Sequence, residues 1–198
     1  MAELFDIGTH NTGAKNAEGV AIKGNDTDEY SRFFRGGGLD ALRQVLPQTI
    51  EPNTVHHFVS KGDWSLWELV EYLLYGIGRA ELFFSTWSIS ELSARKLVEW
   101  LDEGKLTGLH AVLDYRARNR HPEAFHLAKH NIADLRVTNC HAKVAVLVHS
   151  SGILTVVGSA NWTENPRIEA GMISAIESTG KMHLQWIKEV LKTGTYEF

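Results

Sequence analysis

The stretch His141-Ala-Lys143-Val-Ala-Val-Leu-Val-His149-Ser-Ser-Gly152-Ile-Leu-Thr-Val-Val-Gly158-Ser159-Ala-Asn161 holds two short apolar runs separated by a polar break. The runs Ala142 to Val148 and Ile153 to Val157 are rich in β-branched residues and too short for helices, so both read as strands. His149-Ser-Ser-Gly152 reads as the hairpin turn that joins them. A strand turns alternate side chains to one side, which directs the His141 imidazole and the Lys143 ammonium into one pocket.

Outward from this hairpin the text alternates strand and helix. Upstream, Val55 to Val59 reads as a strand and Asp63 to Tyr75 as a helix, with Ser65 and Glu68 spaced as a capping box. Ala80 to Ser85 is an apolar run fit for a buried strand, and Ser88-Ile-Ser-Glu91 opens a helix that Gly104 closes. Leu109 to Tyr115 is the next strand, Pro122 to His130 the next helix, and Ile132 to Val137 the strand before the hairpin. Downstream, Ile168 to Ile176 reads as a strand and Gly180 to Leu191 as an amphipathic helix. This order predicts an α/β domain over residues 54–198, a mixed sheet sandwiched between helices. Residues 1–53 are richer in Gly, Asn, Asp and Thr, include Gly36-Gly37-Gly38, and read as an irregular arm with a short helix over Leu39 to Leu46.

The residues at the hairpin suit phosphorus chemistry. A histidine nitrogen can attack phosphorus and hold it covalently, splitting one hard displacement into two easier ones. Lys143 supplies positive charge for non-bridging oxygens, while Asn161 and Ser159 add directional donors. Gly158 lets backbone approach a phosphate. Glu169 is placed to accept a hydrogen bond from the far nitrogen of His141 and so fix its tautomer.

His141-Ala-Lys143 followed by Gly158-Ser159-Ala-Asn161, with Asn165 and Glu169 trailing, resembles the signature of the phospholipase D superfamily, H-x-K, four residues, D, then G-S-x-N. The resemblance rests on about 30 residues. It implies a phospholipase D-like fold and a metal-independent phosphodiesterase acting through a covalent phosphohistidine, with no cofactor. Family enzymes use two histidines, and this chain has one H-x-K. Similarity to the single-motif nucleases of the family therefore implies a two-fold homodimer sharing one site, with nucleic acid as the leading substrate. Two departures stand out. The position five after Lys143, where the family carries a supporting Asp, is Val148. The interval from His141 to Gly158 is also slightly long, an excess assigned to a longer hairpin around Ser150-Ser151-Gly152. Two rival readings remain: a lipase or phosphatidyl transferase, and a catalytically silent nucleic-acid-binding or dimerisation module.

Composition bounds these readings. One cysteine, Cys140, excludes an intrachain disulfide and a cysteine-rich zinc site. No apolar run of about 18 residues occurs and the N-terminus lacks a signal-peptide pattern, so a cytoplasmic protein without stable membrane association is expected. The formal charge of −4 argues against a surface coated for sequence-blind nucleic-acid binding and leaves that work to a local basic strip. Arg116, Arg118 and Arg120 lie just past a predicted strand end, where α/β sheets bind ligands, and Arg116 and Arg118 are candidate phosphate contacts. His126 and His130 share a helix face, but no nearby residues complete a metal site. His56, His57, Trp64 and Trp67 read as structural, and Cys140 as buried and inert.

Overall fold

A computed structural model describes residues 18–24, 30–35, 38–164 and 166–193, the first two segments as backbone. In chain order the elements are β1 (Glu18–Gly24), β2 (Tyr30–Arg35), α1 (Gly38–Val45), β3 (Val55–Ser60), α2 (Leu66–Ile77), β4 (Ala80–Thr86), α3 (Glu91–Asp102), β5 (Leu106–Asp114), α4 (Ala117–Arg120), α5 (Pro122–Asn131), β6 (Asp134–Thr138), β7 (Val144–His149), β8 (Gly152–Gly158), β9 (Glu169–Ser174) and α6 (Glu177–Lys192).

Among the described residues nine strands form one sheet, in the order β2-β1-β3-β9-β8-β7-β4-β5-β6. β4, β5 and β6 run parallel, joined by helical crossovers, and the rest pair antiparallel. The strands of the central sheet are apolar on both faces because both are covered. Leu82, Phe84, Leu113, Ala145, Leu147, Leu154 and Val156 enter the main core with Leu42, Leu69, Leu97, Trp100 and Phe125 of the helices. The alternate residues Phe83, Val112, Val144 and Val146 pack in a second layer with Ile187 of α6. The expected mixed sheet with helices on both faces is present, unequally divided, with α6 alone on one side.

Val148, five residues after Lys143, packs against that second layer, as do Leu184 and Val190 of α6. An apolar side chain fits beneath α6, whereas an unpaired carboxylate there would lose its hydration without replacement.

Four details correct the sequence reading. The arm over residues 1–53 is not irregular throughout, since β1 and β2 extend the sheet, while the expected short helix is present as α1 and buries Ala41, Leu42 and Val45 in the main core. Tyr72 ties the following turn down by donating to the Leu46 carbonyl at 2.9 Å. The helix expected from Asp63 starts at Leu66, because Ser65 is its N-cap and shares a capping box with Glu68. The long His141–Gly158 interval is not a longer loop. Ser150 and Ser151 form a two-residue turn, His149 pairs with Gly152, and the extra length lies in the paired strands. Finally, His141 and Lys143 precede β7 rather than lying within it.

Candidate active site

The register brings six strand ends to one edge of the sheet. Ser85 pairs with Val144, Val144 with Val157, Gly158 with Gly171, and Ser60 with Glu169. Parallel β4 and β5 also finish there, at Thr86 and Asp114. This is the carboxyl edge of the parallel strands, where α/β sheets leave a crevice for ligands.

β8 returns Gly158 to the chain before β7, and the Gly158 N–H donates to the Lys143 carbonyl at 3.2 Å. Glycine at 158 serves the sheet as well as any ligand: a Cβ there would stand 3.0 Å from the Ala170 carbonyl. A Cβ on its pairing partner Gly171 would stand 2.7 Å from the Val157 carbonyl, so the two glycines let β8 and β9 close up beside the site.

His141 is exposed and Lys143 half-buried. The Lys143 ammonium donates to the His141 carbonyl at 2.8 Å and faces its Nδ1 at 3.5 Å. Burial lowers the Lys143 pKa, with the Glu169 charge acting in the opposite sense. Ser159 Oγ donates a short hydrogen bond to the Glu169 carboxylate and accepts from the Ala170 N–H at 3.0 Å. Glu169 thus carries the Ser159 hydroxyl. Asn161 Oδ1 accepts from Thr86 Oγ1 at 3.3 Å, which fixes the amide across the β8–β4 gap. Asn165 lies outside the described residues.

A groove of about 470 Å³ opens over His141, Lys143, Gly158 and Ser159, with His183 and Trp186 of α6 on its other side. Trp186 Nε1 donates to His183 Nδ1 at 3.0 Å, and burial lowers the His183 pKa. Neither residue stood out in the sequence, where they are two positions of an amphipathic helix.

Asp114 was missed as well. Its carboxylate, fully buried, accepts from the Arg116 N–H at 3.0 Å, from Arg116 Nε at 2.7 Å, from Arg116 Nη2 at 3.2 Å and from the Cys140 N–H at 3.0 Å. Burial would raise its pKa, but these donors outweigh burial and hold it below the usual carboxylate value. The signal was present in the sequence as an acid closing the apolar run Leu109 to Leu113. Through Cys140, Asp114 anchors the residue just before His141. Cys140 itself is buried and its thiol pKa is raised by burial, consistent with an inert thiol.

The arginines divide. Arg116 is engaged by Asp114, Arg118 is exposed on α4, and Arg120 lies over the Trp87 ring, its guanidinium carbon 3.9 Å from the centroid. Trp87 in turn stands beside His141, with ring centroids 5.9 Å apart. His126 and His130 are both exposed on α5, and among the described residues no group of three or more His, Cys, Asp or Glu could hold a metal ion. No described helix is long and apolar enough to cross a membrane.

No known family profile matches the chain, and no curated protein is similar to it in sequence. Among solved structures it is similar to polyphosphate kinase from Porphyromonas gingivalis, with a TM-score of 0.54 and 10% identity. The match covers 98% of this chain and 53% of that one, so this chain spans about half the length of the kinase. At that identity the likeness is one of fold alone.

Proposed function

We propose that the chain is a phosphoryl-transfer enzyme of the phospholipase D type that hydrolyses phosphodiesters, with nucleic acid as substrate. The observation that carries this reading is the convergence of an exposed histidine, a desolvated lysine and a glycine-serine turn in one groove at the sheet edge. His141 Nε2 attacks phosphorus in line, forming an N–P bond as the bond to the leaving oxygen breaks. That oxygen takes a proton from the imidazolium of a second His141, contributed by another copy of the chain. Water then attacks the phosphohistidine, gives its proton to the second imidazole, and the N–P bond breaks. For Nε2 to attack, Nδ1 must carry the proton. Phosphate oxygens draw the Lys143 ammonium away from Nδ1 and toward themselves, coupling substrate binding to activation of the nucleophile.

The shared dimeric site draws support from an apolar sheet face beside the groove. A second hollow, of about 420 Å³, is lined by His57, Val59, Val157, Ala170 and Met172, and Val157 borders both cavities. Val59 in this lining is 37% exposed. A second copy docked on this face would bring two grooves together.

The fold likeness to polyphosphate kinase favours one other reading, transfer at a phosphoanhydride by the same histidine. The test is hydrolysis of bis(p-nitrophenyl) phosphate, single- and double-stranded DNA and polyphosphate in excess EDTA, for wild type and His141→Ala. Diester cleavage absent from the variant supports the proposal. Turnover of polyphosphate alone favours the second reading, and cleavage retained by His141→Ala removes His141 as nucleophile.

A further inference from the structure

The loops after β4 and β5 carry a second constellation beside the groove. Arg116 lies 5.0 Å from the Tyr115 ring centroid and 5.5 Å from that of Trp87, and Arg120 covers Trp87 at 3.9 Å. From His141 outward the order is imidazole, indole, guanidinium. Tyr115 is 44% exposed, so part of its ring is free for a ligand.

The charges in this strip are unequal. Arg116 is balanced by the buried Asp114 carboxylate at 2.7 Å. Arg120 makes no ion pair with a carboxylate among the described residues, and its head is held by the indole instead. Trp87 is half-buried, and such stacking is worth about 0.5–2 kcal/mol. A long side chain held by one indole, with that indole between it and His141 and no counter-charge among the described residues, is suited to an anion from outside the chain. With Arg116 balanced, Arg118 and Arg120 leave positive potential at this one spot of a protein with net charge −4.

We infer that Tyr115, Trp87 and Arg120 form a binding strip for single-stranded nucleic acid, leading the strand to His141. Arg120 contacts a phosphate flanking the scissile one, and Tyr115 stacks an unpaired base. Alternating aromatic faces and guanidinium groups are the chemistry that grips single strands without reading sequence, because every base has a π-face. A duplex keeps its bases stacked on each other and cannot use Tyr115 in this way. The inference rests on the phosphodiesterase reading for its geometry, yet it is tested by binding alone.

The experiment uses the full chain carrying His141→Ala, so that no strand is cut, and fluorescence anisotropy with a labelled oligonucleotide of about 12 nucleotides. Adding Arg120→Gln should lower the slope of log affinity against log salt by about 0.7, one phosphate contact on a single strand. Adding Tyr115→Ala should weaken binding roughly tenfold with the slope unchanged, since stacking releases no counterions. The matching duplex should bind more weakly than the single strand. An unchanged slope in Arg120→Gln, or unchanged affinity in Tyr115→Ala, overturns the strip. Equal binding of duplex and single strand also overturns it, and so does polyphosphate bound as tightly with no effect of Tyr115→Ala. Binding with the expected signatures in a protein whose wild type cuts nothing would retain the strip and remove the phosphodiesterase reading.

Discussion

Asp114→Asn keeps the shape of the buried carboxylate and removes its charge. The native group accepts four hydrogen bonds, three from Arg116 and one from the Cys140 N–H. Hydrogen bonds to charged groups are worth about 1.5–3 kcal/mol each, but Arg116 is 41% exposed and recovers much of its share from water. The uncompensated loss is at Cys140, or at Arg116 if the amide turns its oxygen to Cys140. We expect a net cost of about 2–3 kcal/mol, a fall in Tm of roughly 5–10 °C for a chain of this size. The pH dependence sets this apart from a packing defect. A folded carboxyl pKa below its unfolded value contributes stability that is complete above the ordinary carboxylate range and is lost as pH falls through the folded value. Calorimetric melts of wild type and Asp114→Asn should therefore differ most near neutrality and converge in acid. Because the carboxylate anchors the residue before His141, the variant should also lose kcat more than it raises KM. A Tm difference that stays constant from neutral to acid pH would refute the electrostatic account, and unaltered kcat would refute the positioning role.

Lys143→Gln should reduce kcat by about 10²–10³ while leaving Tm close to wild type, as for loss of one preorganised donor at a developing negative charge. Since burial lowers the Lys143 pKa, wild-type activity should decline on the alkaline side earlier than an ordinary lysine allows, a limb absent from the residual rate of the variant. Ser65→Ala removes the capping-box acceptor of α2 and should cost about 1 kcal/mol in denaturant unfolding. Gly180→Ala gains helix propensity of about 1 kcal/mol, but its Cβ would lie 3.0 Å from Ile153 Cβ at the root of a stiff side chain. The clash should prevail, with a net loss of about 1–2 kcal/mol and weaker docking of α6 on β8, measured by hydrogen exchange in both elements.

The β7–β8 hairpin was legible because each strand carries its own pattern and the turn between them is two residues long. The capping box of α2 was legible for the same reason, since Ser65 and Glu68 are three residues apart. What escaped were features set by distant partners. His141 to Lys143 read as strand by alternation, but the β4 ladder with β7 ends at Ser85–Val144, and the Cys140 N–H turns away to Asp114. β1 was hidden because Val20 and Ile22 alternate within a stretch rich in Gly, Asn and Asp. The motif residues were visible together because one hairpin carries them. Trp87 and Asp114 were not, each being a single residue at a strand end that gains meaning only when β4 and β5 lie beside β7.

The same hairpin constrains how this chain can change length. Val144 opposes Val157 and His149 opposes Gly152, so every residue from His141 to Asn161 is counted from one turn. Deleting a single residue from β7 would either send the residues on one side of the deletion to the opposite face of the sheet or force a bulge. Removing one facing pair of residues would keep the cross-strand pairing but still exchange the faces on one side of the deletion, so two facing pairs must go for pairing and alternation both to survive. Descendants and relatives of this chain should therefore vary the His141–Gly158 spacing in steps of four, with each odd step marked by a bulge.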